Sequence, residues 1–246
     1  MEFLPNSMVS FGAAFYRGIT GFGYALIMAI GVFGAVSPNL LVPLILVNDL
    51  VLTVLILLDR KHGAVDWPVA LFLLFFGFFG AVSGGFLAGF LDEGTTRLMI
   101  AVVVFGAALV AMIHEPPRWL SGKVIGAITS LVVGLLLATF AVGGPLIAVW
   151  LLAGGTRRET TRGTLAIFFG AVDLFSILSR LSLGQIDPQL PLQALAYLPV
   201  TIAGYYLGHF IGPKLSHKAW VRVGAGGLVL IAVVSAFKAF RMIHSG

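Results

Sequence analysis

Cysteine is absent from the 246-residue chain. Disulfides and thiolate metal sites are therefore excluded, and the redox compartment leaves no mark. Charge is scarce as well: Asp, Glu, Lys and Arg together make up 10% of the residues. No G-x-x-x-x-G-K-[ST] sequence occurs, so ATP is not expected to drive any activity. No H-E-x-x-H pattern or Ser–His pairing stands out for hydrolysis. The histidines (His62, His114, His209, His217 and His244) show no metal-ligand spacing. No cofactor is expected. Met1 to Pro5 carry no basic stretch, so no cleaved signal peptide is expected.

What remains is 59% hydrophobic, with a mean hydropathy of +1.05. A soluble domain cannot hide that much apolar surface, and residues 1–246 read as one polytopic transmembrane domain. The formal charge of +5 reports basic loops rather than a nucleic-acid partner. Apolar runs fall near residues 9–36, 40–58, 67–91, 98–113, 125–152, 164–178, 192–211 and 223–240. Trp67, Trp119 and Trp220 each open a run, where the aromatic belt places amphipathic rings.

Two of these runs are broken. Thr20-Gly21-Phe22-Gly23 interrupts the first, and Ala141-Val142-Gly143-Gly144-Pro145 interrupts the fifth. Broken backbone survives at membrane depth only where protein buries it or where it lines a cavity. Interrupted segments at matching places in two halves point to a transporter's binding site.

The halves share more than the breaks. Asp49 and Asp173 lie 124 residues apart, and Gly80 and Gly84 match Gly204 and Gly208 at the same offset. Arg97 and Arg222 open the fourth run of each half. The spacing predicts repeat one over 1–116 and repeat two over 117–246. Glycine at four-residue spacing is also common packing punctuation in membrane helices.

Basic residues choose the topology. If all eight runs cross, the loops split 7 against 7. If the broken runs are re-entrant hairpins, the split becomes 10 against 4. The side with ten holds Arg60, Lys61, Arg118, Lys123, Arg157, Arg158, Arg162, Lys214, Lys218 and Arg222. The side with four holds Arg97, Arg180, Lys238 and Arg241. The positive-inside rule favours the second arrangement and puts both termini on the non-cytoplasmic side. The expected fold is all-α: two inverted repeats, each a broken hairpin plus three transmembrane helices. An odd number of crossings per half produces the inversion.

A glycine-rich tip that opens a half-helix offers unpaired N–H groups and a partial positive charge. It is an anion site without a side chain. Gly21, Gly23 and Tyr24 open one such half-helix, and Gly143, Gly144 and Leu146 open the other. Pro145 suits its first turn because the N–H it lacks has no helical partner there. Thr20 and Thr139 can add hydroxyls. Arg17, just before the first break, either contacts the anion, pairs with Asp49 or Asp173, or caps hairpin carbonyls. Asp49 and Asp173 are candidates for proton coupling, or for caps and ion pairs. Asn48, Ser83, Thr164 and Trp150 are weaker candidates for lining a cavity, and Tyr205, Tyr206 and His209 share the seventh run.

The motifs resemble those of the TauE/SafE sulfite-exporter family of small permeases. Gly18-Ile19-Thr20-Gly21-Phe22-Gly23 is similar to its first motif. Gly134 through Gly143-Gly144-Pro145-Leu146 is similar to its second, and Arg162-Gly163-Thr164 to the stretch that follows. Tyr24 stands where a further glycine is common, no proline follows the first break, and Leu165 stands where serine is common. The resemblance implies import or export of sulfite, thiosulfate or organosulfonates across the plasma (inner) membrane, driven by a proton or ion gradient. Small anions and membrane lipid are the expected partners, and oligomeric state stays open. An anion channel would use the same tips. An intramembrane enzyme would use the two aspartates as a dyad, but the G-x-G-D context of such proteases is missing.

Overall fold

The computed structural model describes residues 3–32, 35–58, 65–111, 116–156, 158–215 and 233. The eighth apolar run and Arg222, Lys238 and Arg241 lie outside them, as do Arg60, Lys61, His62, His114, Arg157, His217, Lys218, Trp220 and His244. Among the described residues the chain is helical, with nine α-helices. They are α1 (Phe3–Thr20), α2 (Tyr24–Gly31), α3 (Pro38–Leu58), α4 (Trp67–Ala88), α5 (Glu93–Ala111), α6 (Lys123–Phe140), α7 (Gly144–Ala153), α8 (Arg158–Ser182) and α9 (Leu190–Ile211). Five are long and apolar enough to cross a membrane: α3, α4, α6, α9 and α8 over Thr160–Ser182.

Both breaks are hairpin turns. Gly31, at the end of α2, lies against Val9 of α1, so α2 folds back along α1. Trp150 of α7 packs over Gly126 and donates its indole N–H to the Gly122 carbonyl at 3.3 Å, so α7 folds back along α6. The return arms have 8 and 10 residues. Arms that short rise about 12–15 Å, roughly half of a 30 Å hydrocarbon core. They cannot cross.

The turns are built alike. Gly21 has φ 92° and Ala141, 120 positions later, has φ 57°, both left-handed. Each long arm also lies against a crossing helix. Ser10 of α1 bonds Thr201 of α9 at 2.7 Å, while Phe11 and Phe15 present their carbonyls to Gly204 and Gly208. Along α6, Ser130 donates to the Leu73 carbonyl of α4, and the Leu131 and Leu135 carbonyls face Gly80 and Gly84. The glycines at the shared offset therefore mark two like crossings, where any Cβ would strike a backbone carbonyl.

Five basic residues counted above as loop charges are in α-helices: Arg97 in α5, Lys123 in α6, and Arg158, Arg162 and Arg180 in α8. Arg162 and Arg180 both belong to α8, which begins before the apolar run and outlasts it. Removing Lys123, Arg158 and Arg162 from one side of the charge split and Arg97 and Arg180 from the other leaves its direction unchanged. Trp67 and Trp119 are well exposed, as belt residues should be.

Candidate functional site

The broken turns place one arginine on each long arm's C-terminus. Arg162 donates to the Gly18 carbonyl at 3.4 Å and lies against Gly21. Arg180, only 3% exposed, donates through Nε and Nη2 to the Ala138 carbonyl at 3.1 and 2.7 Å and through Nη2 to Thr139 at 3.3 Å. Helix C-termini carry partial negative charge and unpaired carbonyls, so guanidinium groups belong there. Neither role is visible from composition, because both residues sit at the margins of an apolar run.

The short arms present the opposite pole. Gly23 caps α2 and Gly143 caps α7. Phe22, Gly23, Gly143 and Gly144 line one small cavity with Arg17, Asp49, Ala25, Leu26, Leu137 and Phe169. Two half-helix N-termini thus converge on the same small space. The first α-helical bond of α2 runs from Ile27 N to Gly23 O at 3.1 Å, which leaves the Tyr24, Ala25 and Leu26 N–H groups without a helical acceptor. In α7, Leu146 N already donates to Gly143 O at 3.2 Å, and Pro145 has no N–H. The donors on that side are Gly143 and Gly144.

Arg17 is 2% exposed. Nη1 donates to Asp49, and Nη2 donates to Thr53 Oγ1 at 2.7 Å. Nε, also buried, has no hydrogen-bond partner among the described residues. One guanidinium thus holds α1 to α3 and keeps a spare donor. Gly170 of α8 lies against Thr53 and Leu50 of α3, so Asp173, one turn further on and fully buried, comes next to Asp49 across that contact, and neither of its oxygens has a donor among the described residues. A proton on one of the two carboxyls lets them share a hydrogen bond.

The side chains of the remaining candidates have other partners or places. Thr20 bonds within its own turn, to the carbonyls of Tyr16 and Phe22 at 2.8 Å. Thr139 donates to Leu135 O at 2.8 Å and meets Gly84 O of α4 at 3.1 Å. Tyr24 is buried with its hydroxyl 3.3 Å from Ser10. Gly21 and Pro145 shape their turns without lining the cavity. Asn48 is buried and donates to Leu44 O at 3.0 Å, Thr164 accepts from Asp66 N at 3.1 Å, and Ser83 is exposed. His209 stacks on Tyr205 against α1, behind Gly18, and Tyr206 is exposed. Trp150 lines a separate recess of about 670 Å³, at the open end of the second hairpin.

The cavity between the tips measures about 20 Å³, room for about one water. A group of several heavy atoms needs more room than that. Thr53 and Phe169 escaped the sequence reading, since a threonine and a phenylalanine in apolar runs carry no distinguishing signal. No groups of three or more His, Cys, Asp or Glu that could hold a metal ion occur among the described residues.

With this geometry in place, comparison with known families is decisive for kinship. The family model described as "Sulfite exporter TauE/SafE" matches residues 7–236. The chain belongs to that family. Comparisons with curated proteins and with solved structures found no match.

Proposed function

We propose that this member of the TauE/SafE family is a secondary carrier that binds one small oxyanion between its two hairpin tips. The family description names sulfite, and thiosulfate and organosulfonates belong to the same class of small sulfur oxyanions. The observation that carries the site is convergence: two half-helix N-termini and a buried arginine, whose Nε has no partner among the described residues, line one cavity. A desolvated anion needs donors, and these donors cost little reorganisation because the fold already holds them. Two dipoles and one shared guanidinium keep binding weak enough for release.

The repeats are inverted copies in this reading. Support comes from the paired crossings of α1 on α9 and α6 on α4, and from α8, which meets the α1 tip near its start and the α6 tip near its end. The two long arms therefore approach the site from opposite sides. With the basic excess inside, both termini face the non-cytoplasmic side of the plasma (inner) membrane. Transport rather than catalysis suits the two aspartates, since Arg17 pairs with one of them.

Proteoliposomes containing the purified chain test this directly. Uptake of sulfite, thiosulfate and methanesulfonate should saturate and cross-compete, while chloride and sulfate controls reveal selectivity. Non-saturable flux through open pores would favour a channel instead.

A further inference from the structure

The carrier reading leaves two observations unused. Arg17 spends Nη1 on Asp49 although it lines the anion cavity. Where Gly170 of α8 packs on Thr53 and Leu50 of α3, Asp173 sits next to Asp49, with no donor among the described residues. We infer that a bound anion and the Asp49 carboxylate are alternative partners of the Arg17 guanidinium, so that each monovalent anion enters with one proton, taken up by the Asp49–Asp173 pair. This rests on the anion site proposed above.

The charges dictate the exchange. Two carboxyls within reach of each other hold one proton between them. With Arg17 positive and one carboxylate negative, the empty site is neutral. An anion added to that site would leave one uncompensated charge among mostly apolar walls, which is costly. If Nη1 turns from Asp49 to the anion, Asp49 loses its counter-charge and takes a proton from solution. Guanidinium and anion then balance, and both carboxyls are neutral. Release reverses each step. The proton arrives from bulk water and leaves to it, and no covalent bond beyond O–H forms or breaks.

Few other ionisable groups face Asp49. From α1 there is Arg17, from α2 Tyr24, and from α8 Asp173. From α9, Thr201 bonds Ser10, and Tyr205 and His209 stack on each other against α1. Glu93 and Arg97 of α5 pair with each other, and the only ionisable residue of α6 is Lys123 at its start. The pair is therefore the natural place for the proton.

Calorimetric titration of the purified full chain with methanesulfonate tests the inference, because that anion keeps a single charge between about pH 5 and 8. Thiosulfate serves as a second probe. Titrations in two buffers of different ionisation heat count protons. The wild-type protein should take up about one proton per methanesulfonate, and its affinity should rise about tenfold per unit fall in pH. The double variant Asp49→Asn, Asp173→Asn keeps side-chain size and should bind with no proton uptake and no pH slope. Asp173→Asn alone should still take up a proton, since Asp49 must be neutralised when Arg17 leaves it. Binding without proton uptake in the wild type overturns this inference alone, as does undiminished uptake in the double variant. Failure of both probes to bind overturns the anion site with it.

Discussion

The Arg17 guanidinium donates to Asp49 through one nitrogen and to Thr53 through the other. Thr53 therefore aims the arginine that the anion is proposed to use. Thr53→Val keeps the shape and removes a hydrogen bond to a charged donor, worth about 1.5–3 kcal/mol. Uptake assays should show KM rising roughly tenfold or more, with membrane insertion unchanged. An unaltered KM would detach Thr53 from the site.

Gly23 and Gly144 separate folding from binding. Gly23 has φ 94°, and a Cβ there would meet the Tyr16 ring at 2.6 Å. A non-glycine residue in that conformation costs about 1–2 kcal/mol before the clash. Gly23→Ala should therefore lower thermal stability in detergent as well as uptake. At Gly144 a Cβ meets only Phe169 at 3.7 Å and Phe22 at 3.9 Å, both ordinary contacts. Gly144→Ala should melt like the wild type yet bind anion more weakly, because its methyl group intrudes on the cavity. Equal behaviour of the two variants in both assays would contradict this division.

Ala141 occupies a left-handed position that its counterpart fills with Gly21. Ala141→Gly should relieve about 1 kcal/mol of backbone strain, visible as a higher melting temperature. A lower one would show that the methyl group's packing outweighs the strain.

The crossings make a matched pair of tests. Gly84→Ala and Gly208→Ala each drive a methyl group toward a carbonyl, of Leu135 and Phe15 respectively. Each should cost about 1–3 kcal/mol, as overpacking does. Gly12→Ala has open space and should be nearly neutral. Thermal melts of the three variants decide this, and a benign Gly208→Ala would break the proposed equivalence of the crossings.

The absence of native cysteine allows topology to be mapped with single introduced thiols. Cysteines replacing Phe90 and Thr156 should label from opposite sides of the membrane, with Thr156 cytoplasmic. Labelling from one side would sink the arrangement of one crossing helix, α5, and one hairpin, α6–α7, between these two positions.

Much of this was written in the sequence where backbone chemistry leaves a residue signature. Glycine at the turns, aspartates 124 residues apart and paired small residues at crossings are such signatures. Arg17 pairing with Asp49 was one of several open readings, and geometry selected it. Hydroxyl partners could not be read, because Thr20 and Thr139 find carbonyls within a turn or a neighbouring helix. The capping roles of Arg162 and Arg180 were hidden because a helix that extends past its apolar run looks like a loop at both ends. The nearness of Asp49 to Asp173 depends on how α3 and α8 cross, which local pattern does not encode.

Density for the bound anion is the most direct test of the site. A structure of the purified chain determined in thiosulfate should show one tetrahedral feature between Gly23, Gly144 and the Arg17 guanidinium, in a cavity larger than the present 20 Å³. Density that lies instead in the recess beside Trp150, away from both tips, would contradict the account.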